Sequence, residues 1–237
     1  MCEPTNIYSA DASIHDAICF RDYAKVCELV TNGSDINLKK QTYTPLWCAI
    51  CGMMSRPKEP TGLSDPRMVQ LLLKNGADPN MKCMFIPPIY LAAQEGSNDI
   101  VVDLILHGAD PNDYAMLKCE ADKQLNKKVA LCCTPIVVAV TQFEPYVVEA
   151  LIEHGAVYNI SLINYAKQNL EKLEKHRRES YDDKIFYKNA KRIVRYLNMC
   201  YDKSMDQKVR DLKTKHPKTG NLQNHYIGFG PLILNTN

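Results

Sequence analysis

The chain has 237 residues, 46% hydrophobic and 24% charged, an ordinary globular balance with enough apolar material to bury a core, so it is expected to fold. A formal net charge of +2 is too small for a general affinity for nucleic acid or an anionic membrane. No apolar run approaches the ~18 residues of a membrane span, and the start Met-Cys-Glu-Pro-Thr-Asn lacks the basic and apolar blocks of a secretory leader. The ten cysteines are therefore expected to be reduced thiols, in the cytoplasm or nucleus.

After an N-terminal segment, 1–12, amphipathic stripes follow in pairs. Residues 13–19 and 23–31 form the first pair, and the second stripe closes on Asn32-Gly33-Ser34-Asp35-Ile36-Asn37. Thr44-Pro45-Leu46-Trp47-Cys48-Ala49 then reads as a helix start. Thr suits the N-cap, and Pro at the first helical position gives up only an amide that has no intrahelical partner. An extra segment near 54–65 separates this helix from the next, which ends in Leu71-Leu72-Leu73-Lys74-Asn75-Gly76-Ala77-Asp78-Pro79-Asn80. Pro87-Pro88-Ile89-Tyr90-Leu91-Ala92-Ala93 starts a third pair, closed by Leu104-Ile105-Leu106-His107-Gly108-Ala109-Asp110-Pro111-Asn112. A second insertion, 114–131, enlarges the turn before Thr134-Pro135-Ile136-Val137-Val138-Ala139, and the fourth pair ends in Leu151-Ile152-Glu153-His154-Gly155-Ala156-Val157-Tyr158-Asn159.

Each closing glycine supplies a left-handed C-terminal cap, and the Asp or Asn beyond it supplies turn chemistry. Gly33, Gly76, Gly108 and Gly155 lie 43, 32 and 47 positions apart, so the middle interval is regular and the others carry insertions. A fifth pair is predicted from two stripes at helical spacing, Leu162, Ile163, Ala166, Leu170 and Leu173, then Phe186, Ala190, Ile193, Val194, Leu197 and Cys200. Lys172, Arg177, Arg178 and Lys188 give it the polar outer face of a terminal unit. A short helix is expected to continue from 202 to 212. Beyond Pro217 the chain reads as loop, with an apolar stretch, 226–234, as either a frayed end or a docking peptide.

Helix starts of the form Thr-Pro-Leu and helix ends of the form Gly-Ala-Asp-x-Asn, recurring in order, resemble the ankyrin repeat family. The resemblance covers 13–202 in about five repeats and leaves 203–237 as a C-terminal helix and loop-like tail. It implies an all-α ankyrin-repeat solenoid: helix-turn-helix units joined by hairpin-like turns, with an extended C-terminal capping repeat and tail. The family's helix-start His is replaced by Trp47, Tyr90 and Val137, which removes a hydrogen-bonding residue, so departures from ideal turn geometry are expected in those repeats.

For function the resemblance implies a non-enzymatic module that binds a partner protein through its turn tips and the inner face of its first helices. Carried over residue by residue, these positions are Lys39, Lys40 and Tyr43 at the first turn and Met84 and Phe85 at the second, with Cys51, Gln94, Glu95, Thr141 and Gln142 on the inner helices. Residues 81–86 stand out because a solvated turn is normally polar and this one is mostly apolar. Either these side chains meet a partner, or they pack on the enlarged turn 114–131. Alternative readings are a ubiquitin-ligase adaptor that recruits through the tail after Pro217, and a pathogen effector acting on host proteins.

Catalytic and metal chemistry find little support. Cys48 and Cys51 form a CxxC, with Cys119, Cys132 and Cys133 downstream, but Cys48 occupies an inward repeat position and no second close pair faces the first, which argues against zinc. The six histidines offer no nucleophile and base grouping, and no phosphate-binding glycine loop exists, so no enzyme activity and no cofactor are expected. His107 and His154, each just before a capping glycine, are expected to cap helix ends. Residues 167–218 hold 16 Lys or Arg against 8 acids, but Glu171, Glu174, Asp182, Asp183 and Asp206 are interleaved with the bases. That pattern describes a solvated helix face rather than a nucleic-acid site. The chain is expected to be a monomer on its own, away from membranes.

Overall fold

The computed structural model describes residues 13–52, 64–118, 130–175 and 181–215. The N-terminal segment, most of the first insertion, the middle of the second, Cys119, Arg177, Arg178 and the tail lie outside them. The chain divides into two units, Met1–Tyr196 and Leu197–Asn237. Helix pairs follow one another as α1 Ile14–Cys19 and α2 Tyr23–Thr31, α3 Pro45–Cys51 and α4 Pro66–Lys74, α5 Pro88–Gln94 and α6 Asn98–Leu106, and α7 Pro135–Thr141 and α8 Pro145–Glu153. A fifth unit consists of α9 Ile160–Lys175 and the start of α10 Tyr181–Lys215. Strands β1 Ala115–Lys118 and β2 Ala130–Cys133 form an antiparallel hairpin in the second insertion. Among the described residues no helix is long and apolar enough to cross a membrane.

First helices pack on first helices, α1 through α9 in odd steps, and α4, α6 and α8 form a second row behind them. Leu46, Ile50, Met68, Leu72, Ile89, Ile100, Leu104, Ile136, Leu151 and Ile163 are fully buried between these rows. Each contributes about 1.5–3 kcal/mol by leaving water, and no single pair could bury its own apolar face.

Prolines 45, 88 and 135 all sit at the first helical position, as read from the sequence. The Thr44 hydroxyl accepts the Trp47 amide at 3.1 Å. Thr134 adopts the cap backbone without that bond, and Pro87 has no side chain able to make it, so the proline carries those two starts. Asp65, which the sequence reading assigned to the first insertion, is the buried N-cap of α4. It accepts the Met68 amide at 3.1 Å and the Tyr23 hydroxyl at 2.8 Å, with Arg21 at 3.5 Å.

What joins one repeat to the next is asparagine. After each capping glycine, with φ between 85° and 96°, an aspartate accepts the amide two residues on: Asp35 from Asn37 at 2.9 Å, Asp78 from Asn80 and Asp110 from Asn112 at 2.8 Å. This turn aims the Asn side chain at the following repeat. The Asn37 amide group donates to the Gly76 carbonyl at 3.2 Å and its oxygen accepts the Asp78 amide at 2.8 Å. Asn80 does the same with Gly108 and Asp110, and Asn112 with Gly155 and Val157. In the fourth copy Val157 replaces the aspartate, and the Asn159 side chain instead accepts the Leu162 amide at 3.2 Å in the first turn of α9.

Turn geometry survives the loss of the helix-start histidines because these ladders do not depend on them. Two-residue fingers close at Lys40 with Tyr43 and at Cys83 with Ile86, although Trp47 and Tyr90 are buried where histidine was expected. The first repeat keeps the histidine: buried His15 donates from Nε2 to the Tyr43 carbonyl at 3.1 Å. Its sequence context, Ser13-Ile14-His15-Asp16-Ala17, has no proline to flag it.

The helix expected to continue from 202 to 212 is part of α10, which runs unbroken over 35 residues. The capping unit departs from the sequence reading in two ways. Phe186 is 42% exposed, its ring 5.8 Å from that of Phe143, while Ala190 and Ile193 carry the burial. Leu170 and Leu173 are half-buried, because the buried part of α9 is confined to Leu162, Ile163 and Ala166 near its start. Arg192 holds α10 to α8 through two 2.7 Å bonds to Glu149, and its guanidinium lies 4.2 Å from the Tyr146 ring centre.

Two outcomes follow from this packing. Asn80→Ala removes both bridging bonds between the second and third repeats and should lower unfolding free energy by about 1–3 kcal/mol in urea titrations, since each such bond contributes roughly 0.5–1.5 kcal/mol net. Burial holds the His15 imidazole below its ordinary value of 6.5, against the opposing pull of the Tyr43 carbonyl. The unfolded chain then binds a proton that the folded chain refuses, so stability is full above about pH 6.5 and falls as pH drops below it. His15→Gln, which keeps a donor but cannot titrate, should flatten that part of the pH profile of Tm.

Candidate finger-tip interface

The second finger is built from a backbone conformation that its residues dislike. Cys83 and Ile86 exchange amide-to-carbonyl bonds of 3.0 and 2.9 Å, and the two residues between them, Met84 and Phe85, both have positive φ, 49° and 64°. A two-residue hairpin loop with two positive φ values selects Asn-Gly or Asp-Gly, and a bulky side chain in this region costs roughly 1–2 kcal/mol. Met84 is 48% and Phe85 64% exposed, so no core contact of these side chains offsets the strain. Both side chains are exposed, and the Phe85 carbonyl accepts the Met116 amide of β1 at 3.1 Å, which ties the finger's backbone to the enlarged turn.

The first finger lies alongside. Tyr43 points its hydroxyl at the Met84 sulfur, 3.9 Å away, and Lys39 donates to the Lys82 carbonyl at 3.0 Å. Lys40 pairs with Asp16 of α1 at 3.0 Å. Lys82 pairs with Asp113, donates to the Tyr114 carbonyl at 3.2 Å and stands 4.9 Å from the centre of the Tyr114 ring. The structure thus brings Lys39, Tyr43, Met84 and Phe85 together and adds exposed Tyr114 and Met116, which the sequence reading missed. Both lie in the insertion, where no repeat pattern marks which side chain faces out.

The remaining predicted positions stand elsewhere. Cys51, Gln94 and Thr141 are the last residues of α3, α5 and α7, and Glu95 and Gln142 are C-caps. A seven-residue helix is about 10 Å long, so this row lies one helix length from the fingers at the opposite helix ends. Gln94, Glu95 and Gln142 are exposed. Thr141 is occupied by a 2.6 Å bond to the Val138 carbonyl, and half-buried Cys51 points its thiol at the Cys48 carbonyl, 3.8 Å away. Just beyond the row, Arg21, Gly96 and Phe143 all take positive φ where the chain turns into the second helix. A Cβ at Gly96 would stand 2.6 Å from the Glu144 carboxyl carbon, so the end of that side chain would have to move aside, and burial pushes that carboxyl above its ordinary pKa.

The Cys48 thiol is poorly disposed to react. Burial, then the neighbouring Cys51, Cys19 and Cys83, push Cys48 up to about 12, so it stays protonated and packs as a small apolar group. Buried Cys83 donates to the Thr44 hydroxyl at 3.7 Å. Among the described residues no cluster of three His, Cys, Asp or Glu side chains is placed to hold a metal. His107 and His154 cap their helices as expected, donating from Nδ1 to the Asp103 and Ala150 carbonyls at 2.7 and 2.8 Å, and Asn75 makes the corresponding 2.8 Å bond to Leu71.

No curated protein matches the chain. The ankyrin repeat family model matches residues 42–83 and 87–115, which span α3 to the start of β1 and include both fingers. The helix pairs on either side repeat the same capping and bridging pattern, and the Asn37, Asn80 and Asn112 bridges run through matched and unmatched repeats alike. Residues 42–83 and 87–115 are ankyrin repeats, and they stand within an all-α stack that has a hairpin inserted in one of its turns.

Proposed function

We propose that the chain is a non-enzymatic module that grips a partner protein with the finger tips of its second and third repeats. Ankyrin repeats are generally protein-protein interaction modules. The observation that carries the finer reading is the Met84 and Phe85 turn. Two large apolar side chains are held in solvent by a strained backbone that Asn-Gly would adopt without penalty, and local strain of this kind concentrates at functional sites. In this reading Phe85 and Met84 anchor the contact, with Tyr43 beside them and Lys39 and Lys40 at the rim. Cys51, Gln94, Glu95, Thr141 and Gln142 form a second line of contact at the far ends of the first helices. Cys19, Cys27, Cys48, Cys51, Cys83 and Cys200 form no disulfide, which fits a reducing compartment, cytoplasm or nucleus.

Phe85→Asp should weaken partner capture about 10- to 100-fold, the scale of a hot-spot residue, and leave Tm nearly unchanged because the side chain is exposed. The measurement is capture from cell lysate by wild type and variant in parallel, with thermal melts of both. A second variant, Met84→Asn with Phe85→Gly, should lose the partner and melt at the same or a higher temperature, since it relieves the turn. A large fall in Tm in Phe85→Asp would assign the side chain to packing and remove the proposal.

A further inference from the structure

Two side chains from neighbouring fingers meet at a sulfur. Tyr43 of the first finger points its hydroxyl at Met84 of the second, 3.9 Å from Sδ. Both side chains start from fixed backbone. Lys40 and Tyr43 exchange amide-to-carbonyl bonds of 3.0 and 3.2 Å, and the Tyr43 ring lies 6.3 Å from that of buried Trp47. Met84 sits between Cys83 and Ile86, which exchange the corresponding bonds, in a left-handed conformation with φ 49°. The side chain is nevertheless open to solvent, since Met84 is 48% exposed.

A thioether is a weak acceptor, and at 3.9 Å the contact is a poor hydrogen bond as it stands. It leaves room for one more atom. An oxygen bound to the sulfur, followed by an O–H···O bond of about 2.7 Å and bent at that oxygen, spans the same gap with both fingers in place. That atom is what oxidation of a methionine supplies. Met116 and Met199 are each 44% exposed and Met68 is fully buried, and among the described residues only Met84 has a hydroxyl within hydrogen-bond range of its sulfur. Exposure opens three of these side chains to an oxidant, and geometry singles out one.

We propose that Met84 is a site of reversible oxidation, where a hydroperoxide converts the thioether to a sulfoxide whose oxygen accepts the Tyr43 hydroxyl, and the apolar fingertip becomes polar. The sulfur lone pair that faces Tyr43 attacks the terminal peroxide oxygen, and the S–O bond forms as the O–O bond breaks. Sulfur gives up two electrons and the peroxide takes them, while the proton on the transferred oxygen joins the departing alkoxide or hydroxide as alcohol or water. Sulfur becomes a stereocentre, and only one of its two epimers turns the oxygen toward Tyr43. Two contacts then leave the fingertip together, the apolar Met84 and the Tyr43 hydroxyl engaged with it. That consequence rests on the interface proposed above, whereas the modification itself does not.

Peptide mapping of the full chain by mass spectrometry, after graded exposure to hydrogen peroxide, tests the chemistry without any partner. Met84 should gain one oxygen at least as readily as Met116 and Met199, and one sulfoxide epimer should exceed the other roughly three- to tenfold, the factor a single hydrogen bond is worth. Of the two stereospecific methionine sulfoxide reductases, one should restore most of the Met84 and the other little of it. Tyr43→Phe, which keeps the ring and removes the donor, should bring the epimers to equal amounts. Met84 left intact while Met116 and Met199 convert, or the same epimer ratio in Tyr43→Phe as in the wild type, would overturn the proposal. Partner capture reads the effect. Peroxide should lower capture by the wild type about tenfold, the matching reductase should recover it, and Met84→Leu, which stays apolar and has no sulfur, should capture equally before and after. Capture lost in peroxide-treated Met84→Leu would place the effect elsewhere and overturn the switch. If Phe85→Asp kept capture, the fingertip reading would fall, and the epimer ratio would still decide the modification.

Discussion

The register of the first four repeats depends on a side-chain amide reaching across each repeat boundary and making two bonds at once. Asn37, Asn80 and Asn112 each offer a donor and an acceptor to the capping turn of the next unit, so one residue type fixes both the spacing and the rotation of neighbours. Apolar burial between helices supplies the larger energy but is nearly indifferent to small slides of one repeat on another. The paired polar contacts are directional and resist such slides. The same turn begins each finger, so the register that aligns the helices also sets the fingers side by side.

Two insertions are accommodated because neither interrupts that amide contact. Residues near 54–65 enter between α3 and α4, and the hairpin enters after Asn112 has made its bridge. The hairpin adds to the second finger: β1 receives the backbone of Phe85, and Tyr114 and Met116 are exposed. Strain at the second finger is tolerated because Cys83 is fully buried beneath it and hydrogen-bonded to Thr44, which pins the base of the turn while its tip stays in solvent.

Features set by neighbours in sequence were legible in advance. Pro45, Pro88 and Pro135 mark helix starts, and Gly33, Gly76, Gly108 and Gly155 mark ends, because a missing amide and a missing Cβ act locally. His15 and Asp65 escaped notice because their partners, Tyr43 and Tyr23, lie 28 and 42 positions away. The full length of α10 was only partly legible, because its apolar stripe fades after Cys200 while the polar residues beyond continue the helix. At the candidate site, an apolar Met-Phe turn was visible as an anomaly, but the sign of its φ angles was not, since nothing in those two residues favours the left-handed region. The positions on the inner helices fell at helix ends because the first helices are only seven residues long.

The exchange of aspartate for Val157 closes the array at that point. A duplicated unit placed after Asn159 would meet an amide side chain already committed to α9, whereas one placed after Asn37 or Asn80 would find the connector it needs. A unit added in the middle would thus be locked in register by two polar bonds, and one added at the end with the long helix would be held by apolar contact alone.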